Sequence, residues 1–372
     1  MNRSHITLSL LVLMAGCATA PDFVAVVELD PGMTGLGGGS VQSSVRFFEL
    51  PGGSEAGRVS TTHIPYVIAV PGSRGFLVAS YTSSPFAGNP RTALTEYDPD
   101  HHAVVKRADS FVPMWDLSDP AKVTGVAITA GRKLLWMVTA DQADVHVPRS
   151  LVAIDWTLRR IVWEYAFPHE VVAAETDPIG DGCLLILWHF DPPNLAVSRY
   201  VWLDAKGHDY PLDLGLPAGD LVQCVADADD DAYLLSRRGM LLKLSRADDN
   251  RAPIVTIVTP KIASAPGVRV PEHVELGNLF FNSVTRTLVV SLSSGTGNGE
   301  VSGICLIDPN RGMITKLIDL TEQVDFLWQF ENRLYGFSTP RTLIQFDGSL
   351  REINRTELGR SDGMVVDVQI GH

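Results

Sequence analysis

Apolar and polar residues alternate with a period of two through most of the chain, in short runs broken by Gly, Pro, Asp or Asn. Leu151–Phe167, "LVAIDWTLRRIVWEYAF", shows the unit. An alternating apolar run ends at Asp155, a polar turn follows, and a second run leaves it, which predicts a β-hairpin. Comparable hairpins are "VRFFELPGGSEAGRVS", "ALTEYDPDHHAVVKR", "RYVWLDAKGHDYPLDL", "LLKLSRADDNRAPIVTI", "ICLIDPNRGMITKLI" and "TLIQFDGSLREINR", making seven in all. Their equivalent turn positions are Glu49, Asp98, Asp155, Asp204, Ser245, Asp308 and Asp347. Asp at such a place caps its own turn by accepting a hydrogen bond from the backbone two residues on, so it needs no catalytic role.

Further strand pairs precede these hairpins, among them "VTGVAITAGRKLLWMVTA", "EVVAAETDPIGDGCLLILWHF", "LVQCVADADDDAYLLSR" and "GNLFFNSVTRTLVVSLS". Four strands in a unit of about fifty residues predict an all-β chain folded as a seven-bladed β-propeller over residues 23–372. No segment holds a helical period over a dozen residues, which argues against βαβ architectures. The first unit has only three strands, Phe23–Leu29, Val45–Leu50 and Arg58–His63, while the chain ends in one unpaired alternating strand, Gly363–Ile370. Placed innermost in the first blade, that C-terminal strand completes it and removes the edges an open stack would expose. "LVAIDWTLRRIVWEYAF" also resembles the blades of quinoprotein-like propellers, with Trp163 at their recurrent tryptophan position. The resemblance implies the fold; the other units lack the recurrent Gly and Trp, so it implies no quinone cofactor.

The N-terminus breaks the pattern. "MNRSHITLSLLVLMAGCATAPD" has Arg3 in a basic head, an apolar segment to Met14, and small residues after it. Residues 1–16 are read as a secretory signal. Its end, "LMAGC", resembles the bacterial lipobox, which implies that Cys17 carries lipid and anchors the chain to a membrane, with residues 17–22 as a linker. Ala18 after the cysteine is compatible, by enteric-type sorting, with the outer membrane of a bacterial cell envelope, facing the periplasm or the cell surface. No later apolar stretch reaches the ~18 residues of a spanning helix. The net charge is −13 and no basic run reaches five residues, which excludes a nucleic-acid partner. The other three cysteines, Cys183, Cys224 and Cys305, sit in apolar strand-like runs and are read as buried free thiols. A Cys183–Cys224 bond in an oxidising compartment is the alternative.

Within each blade the a–b and c–d turns are short, whereas the b–c and d–a connections, on the opposite face, are long and uneven. These include Asp30–Ser43, Thr82–Arg91, Pro113–Lys122, Asp141–Arg149, His189–Ser198, Pro260–His273 and Ser294–Val301. Repeat proteins place such insertions on the binding face. The binding candidates there are Trp115, Asp116, Asp119, Asp144, His146, His189, Asp191, His273 and Glu275. His146 and His189 fall in related connections of neighbouring blades, each with an Asp two residues away, but without HxH or HExxH spacing they do not define a metal site. "DADDDAY" (Asp227–Tyr233) lacks the Gly and Glu of a calcium loop and is read as an ordinary turn. No G-x-S-x-G elbow occurs, and no catalytic set is assigned.

The expectation is a monomeric, lipid-anchored propeller acting as a non-catalytic binding or scaffolding module for a protein, peptide or glycan, with no cofactor. The alternative is a metal-dependent hydrolase resembling the propeller lactonases, whose divalent metal sits over the channel on Glu, Asn and Asp. Asn194, Asn278 and Asn282 are the only asparagines suitably placed for that role.

Overall fold

The computed structural model describes residues 23–29, 43–61, 66–69, 75–82, 91–98, 103–108, 124–140, 148–155, 157–158, 160–167, 171, 173–191, 194–246, 252–269, 274–294, 301–324, 326–330, 333–338, 341–359 and 364–371. The signal and lipobox segment lies outside them. The described strands form seven antiparallel sheets. One joins Met364–Gly371, Phe23–Leu29, Ser43–Glu49 and Glu55–Thr61 in that order. The others are four-stranded meanders within 66–108, 124–166, 173–212, 222–259, 274–324 and 326–357. The sheet of 274–324 gains a two-residue addition, Ala263–Ser264, parallel to its outer strand. Each meander's first strand lies innermost, and the inner strands touch their neighbours in a closed cycle. The inner strand of the last sheet, Phe326–Phe330, and that of the second, Tyr66–Ala69, both adjoin Met364–Gly371. This is a β-propeller closed by its C-terminal strand.

Closure rests on a specific register. Val24 pairs with Ile370 and Val26 with Val368 on one side of the first strand, while Phe47 pairs with Ala25 on the other. Alternate residues of Phe23–Leu29 then serve two different cores. Phe23, Ala25 and Val27 pack with Val67, Phe76, Val78 and Tyr97 of the next sheet. Val24 and Val26 pack with Tyr335, Phe337 and Leu343 of the last one. A sheet sandwiched between two others buries both faces, which is why second strands such as "LLWMV" and "CLLIL" read as continuous apolar runs rather than alternating ones. Alternation survives where only one face is covered, as in the outer strand Arg160–Ala166, exposed and half-buried by turns.

A buried ion cluster reinforces the seam. Glu28, 1% exposed, lies 2.7 Å from Arg341 Nη1 of the last sheet and 3.5 Å from Arg46 Nη1 of its own. Arg46 also reaches Glu55. Arg341 adopts φ 105°, a region unfavourable for a side chain with a Cβ, and is held there by its ion pair and by donation to Gly359 O.

Trp163, the residue that carried the family resemblance, is an interblade clasp. Its Nε1 donates to Ala205 O of the following sheet at 3.2 Å, and its ring lies edge-on to Trp136 at 5.1 Å. Gly207 (φ 84°) lies beneath it, where a Cβ would fall within 2.8 Å of the indole.

Candidate functional site

The two faces of the ring are built differently. On one, acidic residues close the turns as the sequence predicts. Asp204 Oδ1 accepts from Lys206 N and His208 N, at 2.8 and 2.9 Å. Asp308 Oδ1 accepts from Asn310 N at 2.8 Å, and Asp347 Oδ1 from Ser349 N and Arg351 N at 2.8 and 2.9 Å. Asp227, from the acidic "DADDDAY" segment, accepts from Gly180 N and pairs with Arg132 and Arg246, so its carboxylate ties neighbouring sheets together. Burial, and secondarily the Arg132 charge, push the Arg246 guanidinium down to about 10. These four carboxylates serve the fold.

The opposite face carries the longer connections, including 29–43, 82–91, 108–124, 212–222 and 259–274 between strand ends. Some connections there are short, among them 191–194, 324–326 and 338–342. The structure corrects the expected loop His189–Ser198: all but residues 192–193 belong to the strands Gly182–Asp191 and Asn194–Leu203, joined tightly. Trp188, Phe190, Leu195 and Val197 continue the apolar run far enough for pairing to persist, with Trp188 opposite Val197 and Phe190 opposite Leu195. His189 therefore pairs with Ala196 within a sheet. It is half-buried, and its Nδ1 is enclosed without a hydrogen-bond partner among the described residues. Asp191 ends its strand opposite Asn194, and Glu275 lies on the inner strand Val274–Asn282 opposite Ser293; their side chains lie outside the described residues. Trp115, Asp116, Asp119, Asp144, His146 and His273 also lie outside them.

The channel wall holds Gln223, Gln329, Glu175 and Asp177, which the sequence reading passed over, beside Asn278 and Cys224, which it named. Inner strands of neighbouring sheets do not form ladders with one another, so side chains bridge them. Gln223 Nε2 donates to Leu276 O of the next sheet, and Asn278 Nδ2 to Leu327 O at 3.4 Å. Gln329 Nε2 reaches back to Phe281 O at 2.8 Å, and Cys224 Sγ donates to Gly277 O at 3.1 Å. Glu175 and Asp177 lie two apart on the inner strand Ala173–Ile179 and share a face. Burial, then the Glu175 charge, push the Asp177 carboxyl up to about 6. A pair of carboxyls at i and i+2 in a strand otherwise facing apolar neighbours was the available signal, but it resembled an ordinary polar strand.

Cys183 and Cys305 are buried free thiols, as the sequence reading favours, whereas Cys224 is free but half-buried. No Cys183–Cys224 bond is present. Burial drives the thiols of Cys224 and Cys305 up to about 12, which removes them from thiolate chemistry. Of the asparagines a lactonase-like metal would need, Asn278 is engaged as above. Asn282 Oδ1 caps a turn on the other face by accepting from Val284 N and Thr285 N. Among the described residues no group of three or more His, Cys, Asp and Glu is placed to hold a metal ion.

Ring, seam and channel define a β-propeller. No family model matches the chain, and its sequence matches no characterised protein. Solved structures are similar in fold. Apo AztD from Citrobacter koseri is 11% identical with a TM-score of 0.51, over 95% of this chain and 98% of that one. The acylaminoacyl peptidase of Pyrococcus horikoshii is 12% identical with a TM-score of 0.52, over 90% of this chain but 51% of that one. The β-propeller domain of the Trilobed protease from Pyrococcus furiosus is 10% identical with a TM-score of 0.49, over 92% of this chain and 94% of that one. At such identities the likeness is one of fold alone.

Proposed function

We propose that this chain is a lipid-anchored propeller whose seven sheets are seven blades, and that it serves as a non-catalytic binding module. Cys17 holds it to the bacterial outer membrane, and the face of long connections takes a protein, peptide or glycan. The observation that carries the reading is the asymmetry of the two faces. One spends its carboxylates on turn caps and interblade ion pairs, whereas most of the long and variable connections collect on the other. Conserving geometry on one side and varying length on the other is how repeat scaffolds separate stability from recognition. The hydrolase alternative is the weaker reading, because the carboxamides of Asn278 and Asn282 are already committed.

Within that face Trp115, flanked by Asp116 and Asp119, has the character of a binding anchor: a large rigid ring beside carboxylates. The test has two arms. Metabolic labelling with an alkyne fatty acid should mark the wild type and not Cys17→Ser; equal labelling removes the anchor. Trp115→Ala should leave the melting temperature unchanged and lose a partner captured by crosslinking in the native membrane. A lowered melting point with every partner retained would make Trp115 a packing residue. Near-stoichiometric divalent metal in the purified protein would favour the hydrolase.

A further inference from the structure

The outer strand of the sheet spanning 222–259 differs from every other outer strand. It is Ile254–Thr259, "IVTIVT", six consecutive β-branched residues with no charge. Each of the fourth strands of the other six sheets carries at least one charged residue: Arg58, Lys106, Glu164, Asp209, Lys316 and Arg355 are examples; the added Ala263–Ser264 beyond the strand of Lys316 is only two residues long. Charge on an edge strand is the usual protection against pairing with another chain. This strand lacks that protection along its length, and its limits are Pro253 and Pro260, which stop a ladder at each end. Ile254 and Ile257 are 65% and 50% exposed. The inner edge pairs with Leu241–Ser245, and among the described residues no strand pairs with the outer edge.

We infer that this edge is an interface between two copies of the chain, paired antiparallel about a two-fold axis. The sequence of the strand identifies the occupant. A two-fold axis normal to a continuous sheet pairs residue i with its mirror about one central residue, because directly opposed residues must point to the same face. Centred on Thr256, the pairing sets Ile254 against Val258, Val255 against Ile257, and Thr256 against itself. Centred on Ile257, it sets Thr256 against Val258, at the bulge that ends the regular pairing. In both registers only Ile, Val and Thr meet, and β-branched and Thr–Thr pairs are favourable cross-strand combinations. In a chain of net charge −13, where copies repel, this is, among the described fourth strands of the sheets, the one that brings no charge to its own copy. The pairing replaces the monomer expected from sequence, stands apart from the long-loop face, and does not depend on the binding reading.

The test is disulfide trapping of the full chain in native membranes. Residues directly opposed across an antiparallel pair have Cα atoms about 4.5–5.5 Å apart, within the reach of a disulfide. Under mild oxidation Thr256→Cys or Ile257→Cys, whichever lies at the axis, should give a covalent homodimer. The wild type, with Cys183 and Cys305 buried and Cys224 half-buried, should not. Ile353→Cys, equally exposed on the charged outer strand Glu352–Glu357, controls for random collision and should also stay monomeric. Adding Ile254→Lys to the Thr256→Cys variant, or Thr256→Lys to the Ile257→Cys variant, should abolish the crosslink. Failure of both cysteines to crosslink above the Ile353→Cys level overturns the inference, as does a crosslink indifferent to the added lysine. A heteromeric adduct in place of the homodimer would give the edge to another partner and overturn it too. Should the variants misfold, sedimentation of the wild type in mild detergent decides: a dimer that dissociates on dilution is expected, and a monomer throughout refutes it.

Discussion

Asp177 offers a stability measurement whose sign and size both follow from its surroundings. Its carboxyl is raised from the ordinary 3.8 to about 6 by burial in the channel wall and, secondarily, by the Glu175 charge. A carboxyl with a raised folded-state pKa binds its proton more tightly in the folded protein, so acid favours the fold. The stabilisation is fully present below pH 3.8 and is lost as the pH rises through about 6. Each pKa unit corresponds to ~1.4 kcal/mol, so at pH 8 the ionised Asp177 costs the folded state ~3 kcal/mol, and about half of that at pH 5. Asp177→Asn keeps the shape and removes the charge. It should be near neutral at pH 3.5 and stabilising by ~3 kcal/mol at pH 8, with the change concentrated between the two pKa values. The assay is urea unfolding of both proteins across that range, reading the difference in midpoint. Glu175→Gln should shift the wild-type curve toward lower pH by removing the like charge. The groups credited with a hold on Asp177 are then separable. A difference flat with pH, or a variant destabilised at pH 8, would mean that the carboxylate is solvated or hydrogen-bonded as an anion and would refute the reasoning.

Three further outcomes follow from the fold. Truncation after Ser361 removes the strand Met364–Gly371, with the buried Val368 and the closing ladder, and should abolish cooperative unfolding by circular dichroism; an unchanged melting temperature would contradict the closure. Glu28→Ala leaves Arg46 and Arg341 buried without their shared anion and should cost ~3–5 kcal/mol in urea unfolding. Asp347→Ala strips two backbone amides of their acceptor and should cost about 1–2 kcal/mol by the same assay, with partner capture unchanged.

The fold was legible because each blade is stitched by local chemistry. Asp308 and Asp347 cap turns where the alternation stops, and three N-terminal strands without a fourth required the last strand to close the ring. The long-face turn after His189 was misread because Asp-Pro-Pro-Asn carries the composition of a loop, while the flanking Trp188 and Val197 keep the strands paired to its edge. The channel pair Glu175 and Asp177 escaped notice for another reason. Their interest arises from the burial of Asp177, close to Cys224 of the next sheet, and no local pattern records it. Likewise the role of Arg341 depends on Glu28, more than three hundred residues away, and a lone Arg between strands has no signature in sequence.

The central claim is that recognition belongs to the face of long connections and stability to the other. Site-specific photocrosslinking in the native envelope tests it most directly. Probes would replace Ala218 and Arg238, exposed in the 212–222 and 236–241 connections, and Lys206 and Ser349, exposed on the capped turns. The account predicts that Ala218 or Arg238 captures a partner whose recovery is lost in Trp115→Ala, while Lys206 and Ser349 capture none. Capture of that partner from Lys206 or Ser349, with Ala218 and Arg238 silent, would place recognition on the wrong face and contradict the account.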